Sequence, residues 1–268
     1  MKNTKIQRQI LIIDDHDDLH SALRKKFEAG GHLVKVFETR DEAVALGSLD
    51  GFDVIITDLN DIVSTVGLSE NTQGDSCLPE ISTKDFKESI RAFKICATSF
   101  ERENFDEQEL KNLVETTLIY KAQFVDKAER LKRIHEKIEF EIPSAISLMP
   151  VILDYLTKRV EKVGIIDSES SNLFIALDEA FVNAVKHGNQ FDTKKNIRIT
   201  AEISTKEARF TVEDEGEGFD VNSIPDPRDP ENLFKSSGRG VLLIHNIMDE
   251  VKYNKRGNRV EMIKKSEK

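Results

Sequence analysis

The chain has 268 residues, of which 33% are charged, and its formal net charge is −10. This length allows two ordinary domains, and the charge disfavours nucleic-acid binding, which needs a basic surface. The longest apolar runs, at 10–13 and 241–244, are far shorter than the about 20 residues that cross a bilayer. We therefore expect a cytoplasmic protein that binds neither nucleic acid nor membrane. Its two cysteines, Cys77 and Cys96, have no metal-binding spacing and are predicted to be free thiols in a reducing compartment.

Apolar runs and helical stretches alternate at the beginning of the chain. Strands are predicted over 9–13, 33–37 and 52–58, with helices over 18–29 and 41–46. This order predicts an α/β fold, a doubly wound parallel sheet with helices on both faces. Acids follow two of the strands, and in such sheets the carboxyl ends of the strands carry the ligand site. These acids are Asp14, Asp15 and Asp58.

The acids and the strand order resemble the receiver domain of response regulators, which has a flavodoxin-like fold. The resemblance implies a Mg²⁺ site formed by the three acids together with Asn60, two residues beyond Asp58. It also implies phosphorylation of Asp58 by an upstream histidine kinase. Without the resemblance, the same acids are solvated residues at the beginnings of loops.

The second half of this domain departs from the receiver pattern. Threading 95–105 as the last strand assigns the receiver switch to Ser82, Thr83, Phe100 and Glu103. Another threading gives the switch hydroxyl to Thr98 or Ser99 but leaves no place for the final strand. Glu103 stands where the family has a lysine, and losing that cation removes a contact worth about 1.5–3 kcal/mol. A docking domain that is not phosphorylated is therefore an alternative.

A long amphipathic helix is predicted over 106–137. We expect a receiver-like domain over 1–120, a helical linker over 121–137 and a second domain over 138–268. The apolar stripe of the helix would pack either against a second copy, giving a homodimer, or over its own domain.

The second domain is predicted to be an α+β sandwich with helices on one face of a mixed sheet. Its predicted helices are 147–163, 169–186 and 241–248, and its predicted strands are 138–142, 197–203, 207–213, 251–253 and 259–263. A loop rich in Gly, Pro, Asp and Ser occupies 215–237.

Three weak signals occur in order along this domain. Glu179, Asn183 and His187 recur every four residues and would share one helical face. A strand ending in Asp214 is followed by two glycines, which let a backbone approach a planar ring. Glycines also open the helix near 241, where free N–H groups form a seat for phosphate. The glycines are Gly216, Gly218, Gly238 and Gly240.

Together, the three signals resemble the N box and the two glycine boxes of the Bergerat, or GHKL, ATPase superfamily. This superfamily includes gyrase, histidine kinases and the serine/threonine kinases that act as anti-sigma factors. The resemblance implies that ATP and Mg²⁺ bind here, with Asn183 on the metal, Asp214 on the adenine amino group and Arg239 on the terminal phosphate. It places Glu179 as the catalytic group that orients or deprotonates the attacking hydroxyl. The glycines and His187 would line the nucleotide, and 220–237 would form the ATP lid.

The type of kinase depends on what precedes the ATP site. A histidine kinase needs a phosphoacceptor on a helical hairpin, and the interval from His135 to Asn183 has no room for a second hairpin helix. His135 is predicted to be a solvated residue at a helix end. The arrangement instead resembles anti-sigma serine kinases, whose partners are an anti-anti-sigma (STAS-type) protein and a sigma factor. An atypical histidine kinase and a nucleotide-gated docking protein without transferase activity are the alternatives.

Overall fold

The computed structural model describes residues 6–15, 17–59, 77–78, 90–98, 106–126, 135–167, 171–219 and 239–266. These residues form two compact units, one up to 126 with 135–142, the other from 143 onward. The sequence had placed 138–142 in the second domain, and the structure places these residues in the first unit because they pair with one of its strands. No helix among the described residues is long and apolar enough to span a membrane.

The first unit begins with elements that lie within two residues of the predicted ones. They are β1 (Gln9–Asp14), α1 (Asp17–Ala29), β2 (Leu33–Phe37), α2 (Arg40–Val44) and β3 (Val54–Leu59). Local chemistry fixes these boundaries. Helix α2, for example, begins with a capping box in which Thr39 and Glu42 each accept a hydrogen bond from the other's backbone N–H.

The strand direction differs from the prediction after β3. Strand β1 is parallel to β2 and β3, as predicted. The next strand, β4 (Ile90–Cys96), is antiparallel to β3 and not parallel, and it ends at Cys96, where the predicted last strand was still beginning. An apolar run carries no information on direction, which depends on the connection through 60–89. Of this connection the structure describes only 77–78.

The predicted helix over 106–137 is confirmed over its first part and is wrong at its end, where 135–137 belong to a strand. Residues 127–134 of the predicted helix and linker lie outside the described residues. Helix α3 (Glu107–Tyr120) begins at Asp106, whose side chain caps the first turn, and it continues as a π-helical turn over Lys121–Val125. Strand β5 (His135–Pro143) then pairs in parallel with β4. Buried Ile138, Phe140 and Ile142 alternate along it with the two-residue period of a strand. His135 therefore lies on a strand and not at a helix end.

The two cysteines are also not free thiols. Cys77 and Cys96 form a disulfide, with Cα atoms 5.3 Å apart. Both lie in a hydrophobic cluster formed largely by β1 and β3. The fold brings together residues that are 19 apart in the sequence, and spacing alone did not reveal the pair.

The second unit is built from helices and antiparallel strands. Its elements are α4 (Met149–Val163), α5 (Leu173–Val182), a π-helical turn (Asn183–Gly188), β6 (Asn196–Ile203), β7 (Glu207–Asp214), α6 (Arg239–Ile247), β8 (Glu250–Tyr253) and β9 (Arg259–Lys265). The described strand pairs, β6 with β7, β7 with β9 and β8 with β9, are all antiparallel. This arrangement of helices and antiparallel strands is consistent with the predicted α+β ATP-binding fold.

The core of the second unit positions the candidate site. Strand β7 buries every second residue, in a row that begins at Ala208 and ends at Asp214. Helix α5 buries its apolar face, which includes Ala176 and Phe181, and packs against α4 and α6. Helix α5 therefore lies against α6, and β7 contacts the π-helical turn that follows α5.

Candidate nucleotide-binding site

Asp214 is a carboxylate on the inward face of β7, where the preceding members of its row are apolar. It is 9% exposed, and its Oδ1 accepts a hydrogen bond from Gly216 N at 2.8 Å. Burial raises the pKa of Asp214 above its ordinary value, while the Gly216 hydrogen bond and the charge of Arg256 act against this rise. A buried acceptor held by a neutral donor suits recognition of an amino group.

Glycines are required around this carboxylate. A methyl group on Gly188 would overlap the Asp214 carboxylate, and one on Gly216 would overlap the Gly188 carbonyl. Gly218 has φ +79°, and a methyl group there would overlap the Arg256 carbonyl. Side chains are excluded at all three positions, and at Gly188 and Gly216 the backbone lies directly against the acid.

The predicted catalytic and metal-binding residues come together at the beginning of α6. Glu179 and Asn183 are half-buried at the C-terminal end of α5 and the beginning of the π-helical turn. Gly240 lies against both, because a methyl group there would overlap Glu179 Oε2 and lie 3.6 Å from Asn183 Nδ2. A carboxylate, an amide and the N-terminal end of a helix thus lie next to one another.

This arrangement fits a magnesium nucleotide. Mg²⁺ uses few protein oxygens and takes its other ligands from phosphates and water, so one asparagine amide oxygen is a suitable ligand. The first N–H groups of α6 suit the phosphates themselves. Asp214 fits the base of the nucleotide, because its carboxylate can accept a hydrogen bond from an exocyclic amino group.

The structure says less about the remaining predicted site residues. His187 is exposed and lies in the π-helical turn, where a spacing of four residues no longer keeps side chains on one stripe. Residue 239 is the first of α6. Gly238 and the predicted lid over 220–237 lie outside the described residues.

Asn189 was not predicted from the sequence, and it is completely buried next to the end of β7. Its Nδ2 donates to Ser144 Oγ at 2.6 Å and to Asn196 O at 2.8 Å, and its Oδ1 accepts from Glu215 N at 2.9 Å. Gly188 was not predicted either. Both residues directly follow His187, so the sequence signal was their position at the end of the N-box helix.

The first unit places its predicted phosphorylation residue in a very different environment. Asp58 has no exposed surface, and its two carboxylate oxygens accept from Arg91 Nε at 2.9 Å and Nη2 at 2.7 Å. The Lys121 ammonium is 3.8 Å from Asp58 Oδ2 and 3.0 Å from both Asp126 and Glu136. The carboxylate is therefore part of a buried ionic network.

The predicted receiver metal site does not fit this arrangement. Asp14 is buried and accepts from His20 N at 2.9 Å, Asp15 is exposed, and Asp58 faces Arg91. Among the described residues, no group of three or more His, Cys, Asp or Glu side chains could hold a metal ion. The three acids are therefore not gathered around a metal site in the part of the chain that the structure describes, where the cation beside Asp58 is a guanidinium. Asn60 and the predicted switch residues Ser82, Thr83, Phe100 and Glu103 lie outside the described residues.

The geometry of the second unit is consistent with an ATP-binding module, and comparison with a known family agrees. Residues 142–264 match the family described as the Histidine kinase-like ATPase domain. The match includes Asn183, Asp214 and the beginning of α6, and apart from residue 142 it leaves out the first unit.

Similar proteins indicate which kind of ATP-binding protein the chain resembles. The chain is 27% identical over 126 residues to the serine-protein kinase RsbW of Oceanobacillus iheyensis, which covers 45% of this chain and 80% of that protein. It is 27% identical over 142 residues to RsbW of Staphylococcus epidermidis, covering 50% and 89%. It is 29% identical over 137 residues to RsbW of Staphylococcus aureus strain bovine RF122, covering 47% and 85%. The domain and these relatives support an ATP-dependent serine/threonine kinase.

Proposed function

We propose that the chain is a protein serine kinase that transfers the ATP γ-phosphate to a serine of a small anti-anti-sigma partner. In this proposal it also binds a sigma factor, as part of a partner-switching circuit. The observation that carries the proposal is the meeting of Glu179, Asn183 and Gly240, with Asp214 in the same unit. The similarity to the serine-protein kinases RsbW supports the choice of serine as acceptor.

The residues divide the work of phosphoryl transfer. Asp214 accepts from the adenine amino group, and Gly216 and Gly218 let the backbone approach the base. Asn183 would hold Mg²⁺, and the ion would neutralise phosphate charge. Arg239 and the glycines at the beginning of α6 meet the terminal phosphate.

Glu179 acts on the serine. Its carboxylate orients the hydroxyl and takes its proton as the serine oxygen bonds to the γ-phosphorus and the bond to the ADP oxygen breaks. Its half-buried position beside Gly240 puts the base next to the proposed phosphate seat.

A phosphorylation assay with labelled Mg·ATP tests this proposal. The probe is a recombinant anti-anti-sigma protein from the same genome, and acid-stable label on its serine is the expected result. Glu179→Gln should lower the rate by 100-fold or more while ATP still binds, and Asn183→Ala should abolish Mg²⁺-dependent ATP binding. Unchanged transfer by Glu179→Gln would contradict the role of Glu179.

The same assay separates the alternatives. Acid-labile label on the chain itself, removed by His135→Ala, would indicate a histidine kinase. The position of His135 on β5, and not on a helix, disfavours that outcome. ATP binding without transfer to the partner would favour a nucleotide-gated docking protein.

We further propose that the first unit is an input domain for the kinase and works without an acyl phosphate on Asp58. The buried bidentate pair of Asp58 with Arg91 favours this version over the phosphorylated receiver. Treatment with acetyl phosphate should then leave Asp58 without base-labile label. Stoichiometric label on Asp58 would instead restore the receiver and its upstream histidine kinase. A homodimer is part of the proposal, and sedimentation of the full chain tests it.

A further inference from the structure

The peptide group that joins Asp214 to Glu215 lies beyond the regular pairing at the end of β7. Asp214 is the last residue of that strand, so its outgoing carbonyl and the next N–H need partners from elsewhere. Two asparagine side chains supply them. Asn258 Nδ2 donates to Asp214 O at 2.7 Å, and Glu215 N donates to Asn189 Oδ1 at 2.9 Å. One peptide plane is thus held at both of its polar atoms.

Both asparagines are buried and fixed by further contacts. Asn189 is 0% exposed, and its amide nitrogen is held by Ser144 and Asn196 O. Asn258 is 7% exposed, and its Oδ1 accepts from Asn254 Nδ2 at 2.9 Å. Their orientations are therefore set by the surrounding structure and do not depend on a ligand.

The two side chains come from opposite directions along the sequence. Asn189 follows the π-helical turn that carries Asn183, and Asn258 follows the turn between β8 and β9. The backbone adds a second contact to the β8–β9 turn, because Asp214 N donates to Asn258 O at 3.0 Å. The orientation of the Asp214 carboxylate thus depends on the π-helical turn that carries Asn183 and on the turn between β8 and β9.

We propose that Asn189 and Asn258 are positioning residues that fix the Asp214–Glu215 peptide and so aim the Asp214 carboxylate at the amino group of the base. Neither side chain touches the nucleotide in this proposal. It rests on the proposed role of Asp214 in adenine binding. Without the two amides, the peptide plane would rotate and the carboxylate would lose its alignment, while the phosphate end of the site would be unchanged.

The test compares Mg·ATP with purine riboside 5′-triphosphate, which lacks the 6-amino group. Affinities of the full chain for both nucleotides are measured by calorimetry. Wild type should prefer ATP by about 10-fold or more, the effect of a hydrogen bond to a charged group. In Asn189→Ala and Asn258→Ala this preference should fall to about 2-fold or less, with the affinity for the analogue changed by less than about 3-fold.

Ser144→Ala is the matched control. It removes a partner of Asn189 in the same buried region but leaves both hydrogen bonds to the peptide, so the preference for ATP should persist. Equal weakening of both nucleotides in the asparagine variants, or an unchanged preference, would overturn the proposal. If Asn189→Ala does not fold, as judged by circular dichroism, Asn258→Ala and Asn258→Ser carry the same test.

The experiment distinguishes this inference from the proposed function. A wild-type chain that binds neither nucleotide, or binds both equally, contradicts adenine recognition by Asp214 itself. A wild-type chain that prefers ATP, together with variants that keep the preference, contradicts only the role of the two asparagines.

Discussion

Asp58 and Asp214 are both buried aspartates at or near the ends of β-strands, yet their surroundings are opposite. Asp58 is held by the guanidinium of Arg91 and lies near a second cation, Lys121. Asp214 is held by a neutral backbone N–H and is bordered by glycines. The difference shows that a strand followed by an acid is not by itself a site. An acid already neutralised by protein cations is structural, and one held by neutral donors remains able to receive a ligand.

The largest expected effect concerns the stability of the first unit. Arg91→Met should lower its free energy of unfolding by about 3–5 kcal/mol, because Asp58 would be left buried beside a side chain without charge. Denaturant-dependent hydrogen exchange of the β3 amides measures the loss.

The control for Arg91 is an exposed pair of the same type. Arg24 contacts Glu28 at 2.9 Å with both side chains about half exposed, so Arg24→Met should change stability by less than about 1 kcal/mol. If Arg91→Met is as stable as wild type, Asp58 is solvated and the contrast with Asp214 is lost.

Gly188→Ala should have the next largest effect. The added methyl group would displace the Asp214 carboxylate, so the affinity for ATP should fall by about 100-fold, the loss of a strong charge-assisted hydrogen bond. Calorimetric titration with Mg·ATP measures it. Gly51→Ala is the control, since nothing lies within 4 Å of its added methyl group. Equal affinities of the two variants would show that a methyl group at 188 does not disturb nucleotide binding through Asp214.

Asp214→Asn should weaken the binding of ATP without lowering the thermal stability of the chain. The affinity for ATP should fall by about 10-fold, because a neutral amide replaces a charged acceptor. Thermal stability should stay the same or rise, since burial already disfavours the charged form of Asp214. Glu213→Gln, on the opposite face of β7, should leave both quantities unchanged. A large loss of stability in Asp214→Asn would make Asp214 a structural acid like Asp58.

Local patterns were enough to predict much of this molecule. The apolar runs and their boundary residues gave five elements of the first unit to within two residues. The i, i+4 spacing of Glu179 and Asn183 predicted their shared face, and the structure brings both to Gly240. Periodicity succeeds here because each of these features is decided within a few residues.

The errors came from contacts between distant residues. Arg91 lies 33 residues from Asp58 and reaches it because β4 is antiparallel, which the apolar run could not reveal. The helix over 106–137 overlapped the first three residues of β5, and the rest of β5, with Ile138, Phe140 and Ile142, was assigned to the next domain. Asn189 was missed because its position after the N-box helix does not reveal its hydrogen bond to Glu215, 26 residues away.

The smallest expected effect is a pH dependence that belongs to Asp214 alone. Burial raises its pKa in the folded chain, so the native state binds this proton more tightly than the unfolded state does. The stability due to this group is therefore present at low pH and is lost as the pH rises through the folded pKa. Adenine recognition needs the opposite form, because only the carboxylate accepts from the amino group. As the pH falls from about 7 to about 4, the preference for ATP over purine riboside 5′-triphosphate should decline at a pH above that expected of an ordinary aspartate. In Asp214→Asn the weaker preference should not change with pH, and a wild-type preference that stays constant over this range would mean that the buried carboxylate does not bind the base.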